Sequence, residues 1–241
     1  MADRLSIAIV TILSVLLAQK AILSVKAQAH ATFYGGTSAE GTMNGACGYT
    51  NLYTMGYGTM TTALSNALFQ GGRTCGACYQ ISCYGSNCYS GSITVTATNL
   101  CPQGSYGGWC DGSNKHFDLS YPAFSKIARP SAGVVTVTYN KVACRRSGGI
   151  KFWIQGHTYY LLVTVYNVGG NGDINSVSVK GSRTGWIYMT RTWGVNFSTG
   201  QVLDKQGLSF EVTDNTGRTS YSDNCVGTGW SYGQTYQGSN F

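Results

Sequence analysis

The chain has 241 residues, enough for one large or two small domains, with 16 Lys and Arg against 9 Asp and Glu. Its 33 glycines, 3 prolines and many aromatic residues are typical of short strands joined by tight turns. No Ser-His-Asp set, G-x-S-x-G elbow, phosphate loop or dinucleotide fingerprint occurs, which argues against those enzyme classes.

The first 29 residues predict a signal peptide. A short polar start precedes the apolar run 5–17, and Ala27-Gln28-Ala29 forms a small-x-small cleavage site. A membrane anchor is the alternative, but the run is too short to span a bilayer and two lysines interrupt its end. We therefore expect a secreted protein that begins near His30 and has no integral membrane segment.

The charge of the exported part is mildly basic. Beyond residue 29, 13 basic and 8 acidic residues remain, a net charge near +5. Weak attraction to a polyanionic extracellular matrix and ordinary solubilising surface charge both explain it. Nucleic acid is the other polyanion, and export argues against it as a partner.

The first half of the exported chain is expected to be mainly strand. Runs 91–98 and 134–139 have strand character, and the apolar spacing of 60–69 predicts a helix. A second short helix is expected at 122–127, with Ser120 as its N-cap. The pattern favours a cysteine-stapled β-barrel with minor helix.

Eight of the nine cysteines lie in this half. Exported and even in number, they favour four disulfides. Zinc is the alternative, because Cys75-x-x-Cys78 has metal-ligand spacing, but no second such pair occurs. We expect no metal and no cofactor. Cys225 is left over, either as a buried small apolar residue or in an intermolecular bridge.

The second half changes character at 144–149, where the cysteine-rich part ends. Strand patterns follow at 150–154, 158–168, 176–180 and 208–212. Glycine- and asparagine-rich turns separate them. About seven or eight short strands at this spacing predict an antiparallel sandwich of about a hundred residues.

Carboxylates are rare in the first half. Between His30 and Cys144 the chain has only Glu40, Asp111 and Asp118. Glycoside hydrolysis normally needs two carboxyl groups, about 5–5.5 Å apart for retention or about 6.5–9.5 Å for inversion. Glu40 and Asp111 both lie in turn-like loops, so neither is a convincing partner for Asp118.

Asp118 itself allows two interpretations. It follows His116 and Phe117, and a carboxyl beside an aromatic ring is partly desolvated, so it can keep a proton at mildly acidic pH. The alternative is structural: Asp118 would cap the short helix that begins near Ser120.

Aromatic residues of the second half also allow two interpretations. Strand alternation must expose some of them, and a row of exposed rings suits the apolar faces of sugars. The alternative is that they fill the sandwich core. Tyr159 and Tyr160 are adjacent, so one of them should face away from the core. The candidates are Tyr159, Tyr160, Trp186, Trp193 and Trp230.

Several motifs, taken together, resemble the plant expansins, and specifically their α branch, over essentially the whole exported chain. In the first half they are Ala31-Thr-Phe-Tyr-Gly35, Met43-Asn-Gly-Ala-Cys-Gly-Tyr49, Cys75-Gly-Ala-Cys78, Thr98-Asn-Leu-Cys-Pro102, Gly107-Gly-Trp-Cys110, His116-Phe-Asp-Leu119 and Cys144-Arg-Arg-Ser-Gly-Gly-Ile150. In the second half they are Asn167-Val-Gly-Gly170, Val177-Ser-Val-Lys-Gly-Ser182 and Trp230-Ser-Tyr-Gly-Gln234.

This resemblance implies a mainly all-β protein: a six-stranded double-psi β-barrel, similar to family-45 endoglucanases, followed by an immunoglobulin-like β-sandwich that binds cellulose. We expect the signal peptide at 1–29, the barrel at 30–145, a linker and start of the second domain at 146–154, and the sandwich at 155–241. The implied activity is loosening of plant cell walls at acidic pH by disruption of non-covalent cellulose–matrix glycan contacts, without hydrolysis.

The resemblance also implies site residues. The general acid of the related hydrolases falls on Asp118, whereas their second aspartate has no counterpart in Thr32-Phe-Tyr-Gly-Gly36. The polysaccharide groove is expected to contain Thr32, Tyr34, Asn99, Trp109 and His116, and the cellulose platform Tyr159, Tyr160 and Trp193. The implied bridges are Cys47–Cys75 and Cys78–Cys144, which leaves Cys83–Cys88 and Cys101–Cys110 as local pairs.

Partners are expected to be cellulose and xyloglucan-like matrix polysaccharides, bound by a monomer in the wall. Asn196-Phe197-Ser198 is a candidate glycosylation sequon three residues from Trp193. Two other functions remain open: a slow endoglucanase with an unidentified base, such as a water held by Asn99, and a lectin-like or barwin-like wall-binding protein without effect on wall mechanics.

Overall fold

The structure, a computed structural model, describes residues 27–241. The predicted signal peptide lies outside these residues except for Ala27–Ala29, which begin the first strand. Its first domain contains six strands and two short helices. They are β1 (Ala27–Tyr34), β2 (Thr61–Leu64), α1 (Asn66–Phe69), β3 (Cys78–Cys83), β4 (Ile93–Leu100), β5 (His116–Ser120), α2 (Tyr121–Phe124) and β6 (Val135–Val142).

The six strands close into a barrel in the order β1-β5-β2-β4-β3-β6. Two neighbouring pairs are parallel, β1 with β5 and β2 with β4, and the others are antiparallel. Alternating residues point inward, so Val95, Val137 and Phe117 are completely buried in the barrel. The predicted closed six-stranded barrel is confirmed.

The helix predicted over 60–69 is wrong in its first half. Residues 61–64 form β2, whose four residues are all buried between β4 and β5. Only Asn66–Phe69 is helical. A short apolar run fits a buried strand as well as a helix, and pairing on both sides decides for the strand. The second helix begins as expected, because Ser120 Oγ accepts a hydrogen bond of 3.2 Å from the backbone N–H of Ala123.

The second domain contains eight strands in one continuous ladder, ordered β13-β12-β9-β10-β11-β8-β7-β14. They are β7 (Lys151–His157), β8 (Tyr160–Tyr166), β9 (Ile174–Gly181), β10 (Trp186–Trp193), β11 (Asn196–Thr199), β12 (Leu208–Asp214), β13 (Thr219–Val226) and β14 (Thr235–Gln237). The segment expected to hold the linker therefore already includes the start of β7.

Strand β10 turns this ladder into a sandwich. Its first half, 186–189, pairs with β9, and its second half, from Thr190, pairs with β11. The ladder folds back on itself, so that Phe152 of β7 stacks on Phe210 of β12 with ring centroids 4.2 Å apart. Both phenylalanines are fully buried, and the core lies between these two faces.

All eight cysteines of the first half are paired. The bridges are Cys47–Cys75, Cys78–Cys144, Cys83–Cys88 and Cys101–Cys110, the four pairs that the resemblance implies. Cys75 and Cys78 thus belong to different bridges, which speaks against the zinc alternative. Cys225 is a free thiol that packs against the core, and its burial raises its pKa to about 11.

The two domains pack directly on each other. The backbone N–H of Val195 donates a 2.9 Å hydrogen bond to the carbonyl oxygen of Cys47. Gly48, with a φ of +86°, lies against the sandwich so closely that a Cβ there would come within 1.9 Å of the Asn196 side-chain nitrogen and 2.9 Å of Trp193 Nε1. Only glycine allows this approach. Within residues 27–241, no helix has the length and apolar character needed to cross a membrane.

Candidate functional site

The parallel pairing of β1 with β5 assembles a three-residue polar cluster. The register places Thr32 opposite Asp118, and side chains two residues apart share a face, so His116 lies on the same face. The Thr32 hydroxyl oxygen is 2.7 Å from both His116 Nε2 and Asp118 Oδ1. Asp118 is therefore held by a threonine of the neighbouring strand, and the helix N-cap is Ser120.

Proton counting fixes the direction of these hydrogen bonds. The Thr32 hydroxyl has one proton and donates it to Asp118 Oδ1, so His116 must present Nε2–H to the threonine oxygen. His116 Nδ1 is then the unprotonated nitrogen. It is buried and has no hydrogen-bond partner among residues 27–241. The hydroxyl of Thr32 thus connects the Asp118 carboxyl to one tautomer of His116.

Burial sets the charge of both titratable groups. Desolvation raises the pKa of the Asp118 carboxyl above its usual value, partly offset by the Thr32 hydrogen bond. The pKa of His116 is lowered to about 4, by burial first and by the nearby His30 second. The cluster consequently combines a neutral histidine with a carboxyl group that keeps its proton more readily than an exposed one.

Asp118 opens into a cavity of about 380 Å³. Among the described residues, it is the only carboxylate that lines this cavity. The Trp109 ring forms part of the wall and stacks on His116 with centroids 6.2 Å apart and an interplanar angle of 20°. Gly107, at a φ of +81°, permits this, since a Cβ there would lie 2.9 Å from the indole. The other walls come from β1 and the loop around Gly133.

Tyr34 and Asn99 lie near the cluster but do not line this cavity. Asn99 Oδ1 accepts from the backbone N–H of Ala46 at 2.7 Å and of Leu100 at 2.8 Å, and its Nδ2 donates to the Tyr34 hydroxyl at 3.4 Å. Burial raises the pKa of Tyr34 to about 12, with a further contribution from Asp118. The geometry gives Asn99 the role of fixing the loop before Gly48.

The two other carboxylates of the barrel are engaged elsewhere. Asp111 Oδ1 accepts a 2.7 Å hydrogen bond from the backbone N–H of Gly104 within its own disulfide loop. Glu40 is bonded to the Ser38 hydroxyl, two residues away. Neither carboxylate lines the Asp118 cavity.

Three aromatic side chains of the sandwich are exposed where the platform is expected. Tyr159, Tyr160 and Trp193 are 73%, 39% and 48% exposed. Trp193 pairs with Asn196, which pairs with Thr164 of β8, the residue four positions from Tyr160. Tyr160 and Trp193 thus lie on one outer face, about 13 Å apart along the strand direction. Tyr159 lies in the turn between β7 and β8.

The structure does not fit the predicted glycosylation of Asn196. Its side chain is 1% exposed, and its Oδ1 accepts a 2.5 Å hydrogen bond from the Thr164 hydroxyl. Its Nδ2, the atom that would carry a glycan, lies against Gly48. A sugar at this position would separate the two domains, because no space exists between them there.

Sequence reasoning missed part of both surfaces. Ser105 and the segment 132–134 line the Asp118 cavity, yet small loop residues carry no chemical signal in a sequence. Tyr188 and Tyr221 are exposed on the other sheet of the sandwich. Met189 of β10 points into the core, so alternation of inward and outward side chains along this strand could have predicted that Tyr188 is exposed. Trp186, another sequence candidate, is exposed there, and Trp230 packs partly buried against the core.

Family models match both domains. The model described as "Expansin C-terminal domain" matches residues 150–226, and the double-psi β-barrel model described as "Lytic transglycolase" matches residues 61–139. A crystal structure of an expansin from Clavibacter michiganensis shares the fold, with a TM-score of 0.70 at 21% identity, covering 90% of this chain and 97% of that one. The predicted barrel followed by a β-sandwich is therefore confirmed.

Curated relatives match at much higher identity. Expansin-A7 of Arabidopsis thaliana is 52% identical over 217 residues, covering 87% of this chain and 83% of the relative. Expansin-A19 of Oryza sativa subsp. japonica is 50% identical over 214 residues, covering 86% of both chains. Similarity at this level extends through the barrel and the sandwich alike, and the chain belongs to the expansin family.

Proposed function

We propose that this expansin is secreted into the plant cell wall and loosens it without cutting polysaccharide. It binds cellulose and xyloglucan-like matrix glycans as a monomer and weakens their non-covalent contacts at acidic pH. The observation that carries the proposal is the single carboxyl group of the cavity, Asp118, held by Thr32 through one oxygen.

The second carboxyl oxygen faces the glycan. No described residue donates to Asp118 Oδ2, and this atom is not sealed from solvent. Because Oδ1 already accepts from Thr32, a proton taken up by Asp118 goes to Oδ2, on the cavity side. The protonated acid can donate a hydrogen bond to a glycan oxygen, whereas the ionised acid can only accept one. The raised pKa of Asp118 favours the donating form at acidic pH.

The same cavity supports binding over cutting. Hydrolysis needs a second carboxyl group within about 10 Å to supply a base or nucleophile. Asp111 and Glu40 are bonded within their own loops and do not line the cavity. A glycan that gains a hydrogen bond only in a slipped arrangement is stabilised in that arrangement, since a protein shifts an equilibrium by its difference in affinity.

The sandwich would supply the main affinity for cellulose. Tyr160 and Trp193 are exposed on one side of the sheet, and Trp193 adjoins Gly48 of the barrel. The loop before Gly48 is held by Asn99, which also contacts Tyr34 near Asp118. A mutant of the Clavibacter michiganensis expansin has been crystallised in complex with cellohexaose. An extended glucan lying from platform to cavity fits this arrangement.

The test compares Asp118→Asn with wild type in a clamped, heat-killed cell wall under constant load. Asparagine keeps the shape, an oxygen for Thr32 and an N–H donor on the cavity side, but its hydrogen bonding cannot change with pH. Wild type should extend the wall about tenfold more at acidic than at neutral pH, whereas extension by Asp118→Asn should agree between the two pH values within about twofold. Asp223→Asn, an exposed acid of the sandwich, is the matched control and should extend the wall like wild type.

Three outcomes would contradict the proposal. A wild-type pH dependence of extension in Asp118→Asn would remove this acid from the mechanism. Release of reducing ends from soluble glucan by the wild type, abolished in Asp118→Asn, would establish a slow endoglucanase instead. Cellulose retention without any wall extension by the wild type would leave a wall-binding protein.

A further inference from the structure

A larger cavity lies on the outside of the barrel, away from Asp118. It has a volume of about 580 Å³ and is bounded by β3, β4 and the segment 142–146 that leads into the sandwich. It shares no lining residue with the Asp118 cavity. Its polar lining residues are Tyr57, Gln80, Thr94, Thr96, Arg145 and Arg146.

Arg146 is fixed at the wall of this cavity by three contacts. Its Nη2 donates a 2.8 Å hydrogen bond to the Thr96 hydroxyl and a 3.7 Å one to Cys78 Sγ, and its guanidinium carbon lies 4.7 Å from the centroid of the Tyr57 ring. Its Nε–H is buried and has no hydrogen-bond partner within residues 27–241. A guanidinium stacked on an aromatic ring and bonded at one end keeps its remaining donors in a defined plane.

The cavity is cationic. Among the described residues, no carboxylate lines it, and neither Arg145 nor Arg146 forms an ion pair. Two nearby basic residues differ in this respect: Lys141 pairs with Asp173 at 2.5 Å, and Arg218 pairs with a sandwich aspartate at 2.8 Å. The unpaired charge of this side of the molecule is therefore concentrated at Arg145 and Arg146.

Neutral donors complete the lining. The side chains of Gln80 and Thr94 form no hydrogen bonds with other described residues and are partly or fully exposed. An amide, a hydroxyl and a planar guanidinium suit a ligand that carries hydroxyl groups beside a carboxylate. A uronic acid residue of an acidic polysaccharide has this combination, whereas a simple inorganic anion uses only the guanidinium groups.

We infer that this cavity binds the carboxylate of an acidic, uronate-containing glycan, with Arg146 as the main anchor and Arg145 at the rim. The site goes beyond the proposed action of Asp118 on neutral glucans and is independent of it. It also adjoins the domain junction, because the hydroxyl of Tyr57 accepts a 3.2 Å hydrogen bond from the backbone N–H of Asn167. An occupant therefore contacts the barrel wall that is bonded to the sandwich.

Calorimetric titration of the purified protein with a trimer of galacturonic acid tests the site. The fully methyl-esterified trimer has the same shape without charge and should bind more than about tenfold more weakly, since charge-assisted hydrogen bonds are lost. Arg146→Gln should weaken the acidic trimer about tenfold and Arg145→Gln about threefold. Arg129→Gln removes an equally exposed positive charge elsewhere on the barrel and should change affinity less than about twofold.

Each departure from this pattern overturns the inference. Equal losses in Arg129→Gln and Arg145→Gln would mean general charge attraction, and equal binding of the ester would mean that no anion is recognised. Sodium acetate at matched carboxylate concentration tests binding of a free anion, and a glutamate tripeptide tests binding of an acidic peptide. If either ligand binds as tightly as the uronate trimer, the cavity is not a glycan site. Should Arg146→Gln fail to fold, Arg145→Gln decides alone. Asp118→Asn should bind the trimer like wild type, which separates this site from the wall-loosening proposal.

Discussion

All four disulfides of the described residues join cysteines between Cys47 and Cys144, whereas the sandwich is held by apolar packing such as Phe152 on Phe210. The barrel carries a polar cluster of Thr32 and its partners on its outer face, and such a cluster contributes little apolar burial. Cross-links that restrict the unfolded chain offset this loss. The sandwich buries whole strand faces and has the aromatic residues of the proposed platform on its outside.

The proposed functions of the two domains also differ in their dependence on protonation. The barrel site contains a half-buried acid and a buried histidine, so its state depends on pH. The platform consists of exposed aromatic rings, whose attraction for sugar faces requires no proton. This difference predicts that pH and covalent cross-links determine the stability and activity of the barrel. The area of exposed aromatic rings should determine cellulose binding by the sandwich.

The largest expected effect comes from removing the longest bridge. Replacing Cys78 and Cys144, 66 residues apart, by serine should lower the free energy of unfolding of the barrel by about 4 kcal/mol. Removing Cys83 and Cys88, only 5 residues apart, should cost about 2 kcal/mol and serves as the matched control. Amide hydrogen exchange, read separately in barrel and sandwich strands, measures both. If removing the long bridge changed hydrogen exchange in β9 and β12 of the sandwich as much as in the barrel strands, the two domains would not differ in their dependence on bridges.

The next effect is the pH dependence of stability through His116. Its pKa is about 4 in the folded barrel and 6.5 when unperturbed, so the unfolded chain binds a proton first as pH falls. Stability should be full above pH 6.5 and decline by about 3 kcal/mol down to pH 4. His116→Gln should remove this decline, measured by denaturant unfolding of the barrel at each pH.

Asp118 acts in the opposite direction in that experiment. Because the pKa of Asp118 is raised in the folded state, the folded protein takes up this proton first as pH falls. The resulting contribution to the free energy of unfolding is lost as pH rises through the folded pKa. His116→Gln should therefore gain relative stability toward acid. His157→Gln, an exposed histidine of the sandwich, is the control and should keep the wild-type profile. An identical decline in wild type and His116→Gln would refute the assignment to His116.

The smallest effect concerns the platform. Trp193→Ala should weaken binding to cellulose about tenfold, since one stacked ring contributes about 1–2 kcal/mol. Tyr188→Ala, on the other sheet, is the control and should change binding less than about twofold. Retention on cellulose at pH 4.5 and pH 7 measures both. A strong pH dependence of the Trp193 effect would break the proposed division between the domains.

Much of this architecture was predictable from local sequence signals. Ser120 caps its helix as expected, and the strand patterns of the sandwich locate β9 and β12 to within two residues. The failure at 61–64 shows the limit: Ala63 and Leu64 fit a helix face locally, and only pairing with β4 and β5 makes them a strand.

The candidate site was predictable for different reasons. Asp118 was found through its tripeptide and the family resemblance, but the bridging role of Thr32 depends on parallel pairing of strands 86 residues apart. Arg146 stacks on Tyr57, 89 positions earlier, and no spacing rule links them. Asn196 fits a sequon pattern that says nothing of burial.

The close approach at Gly48 has a consequence for how binding depends on the length of a glucan. The backbone hydrogen bond between Cys47 and Val195 and the Asn99 contacts join the barrel to the sandwich between Trp193 and Asp118. On the proposed function, these contacts set the distance between the two glycan-binding surfaces, so binding would depend on glucan length. Oligomers that reach both surfaces gain the effective concentration of a two-site ligand, and shorter ones occupy one surface at a time. Affinity should then rise stepwise with chain length, and the position of the step gives that distance in sugar units.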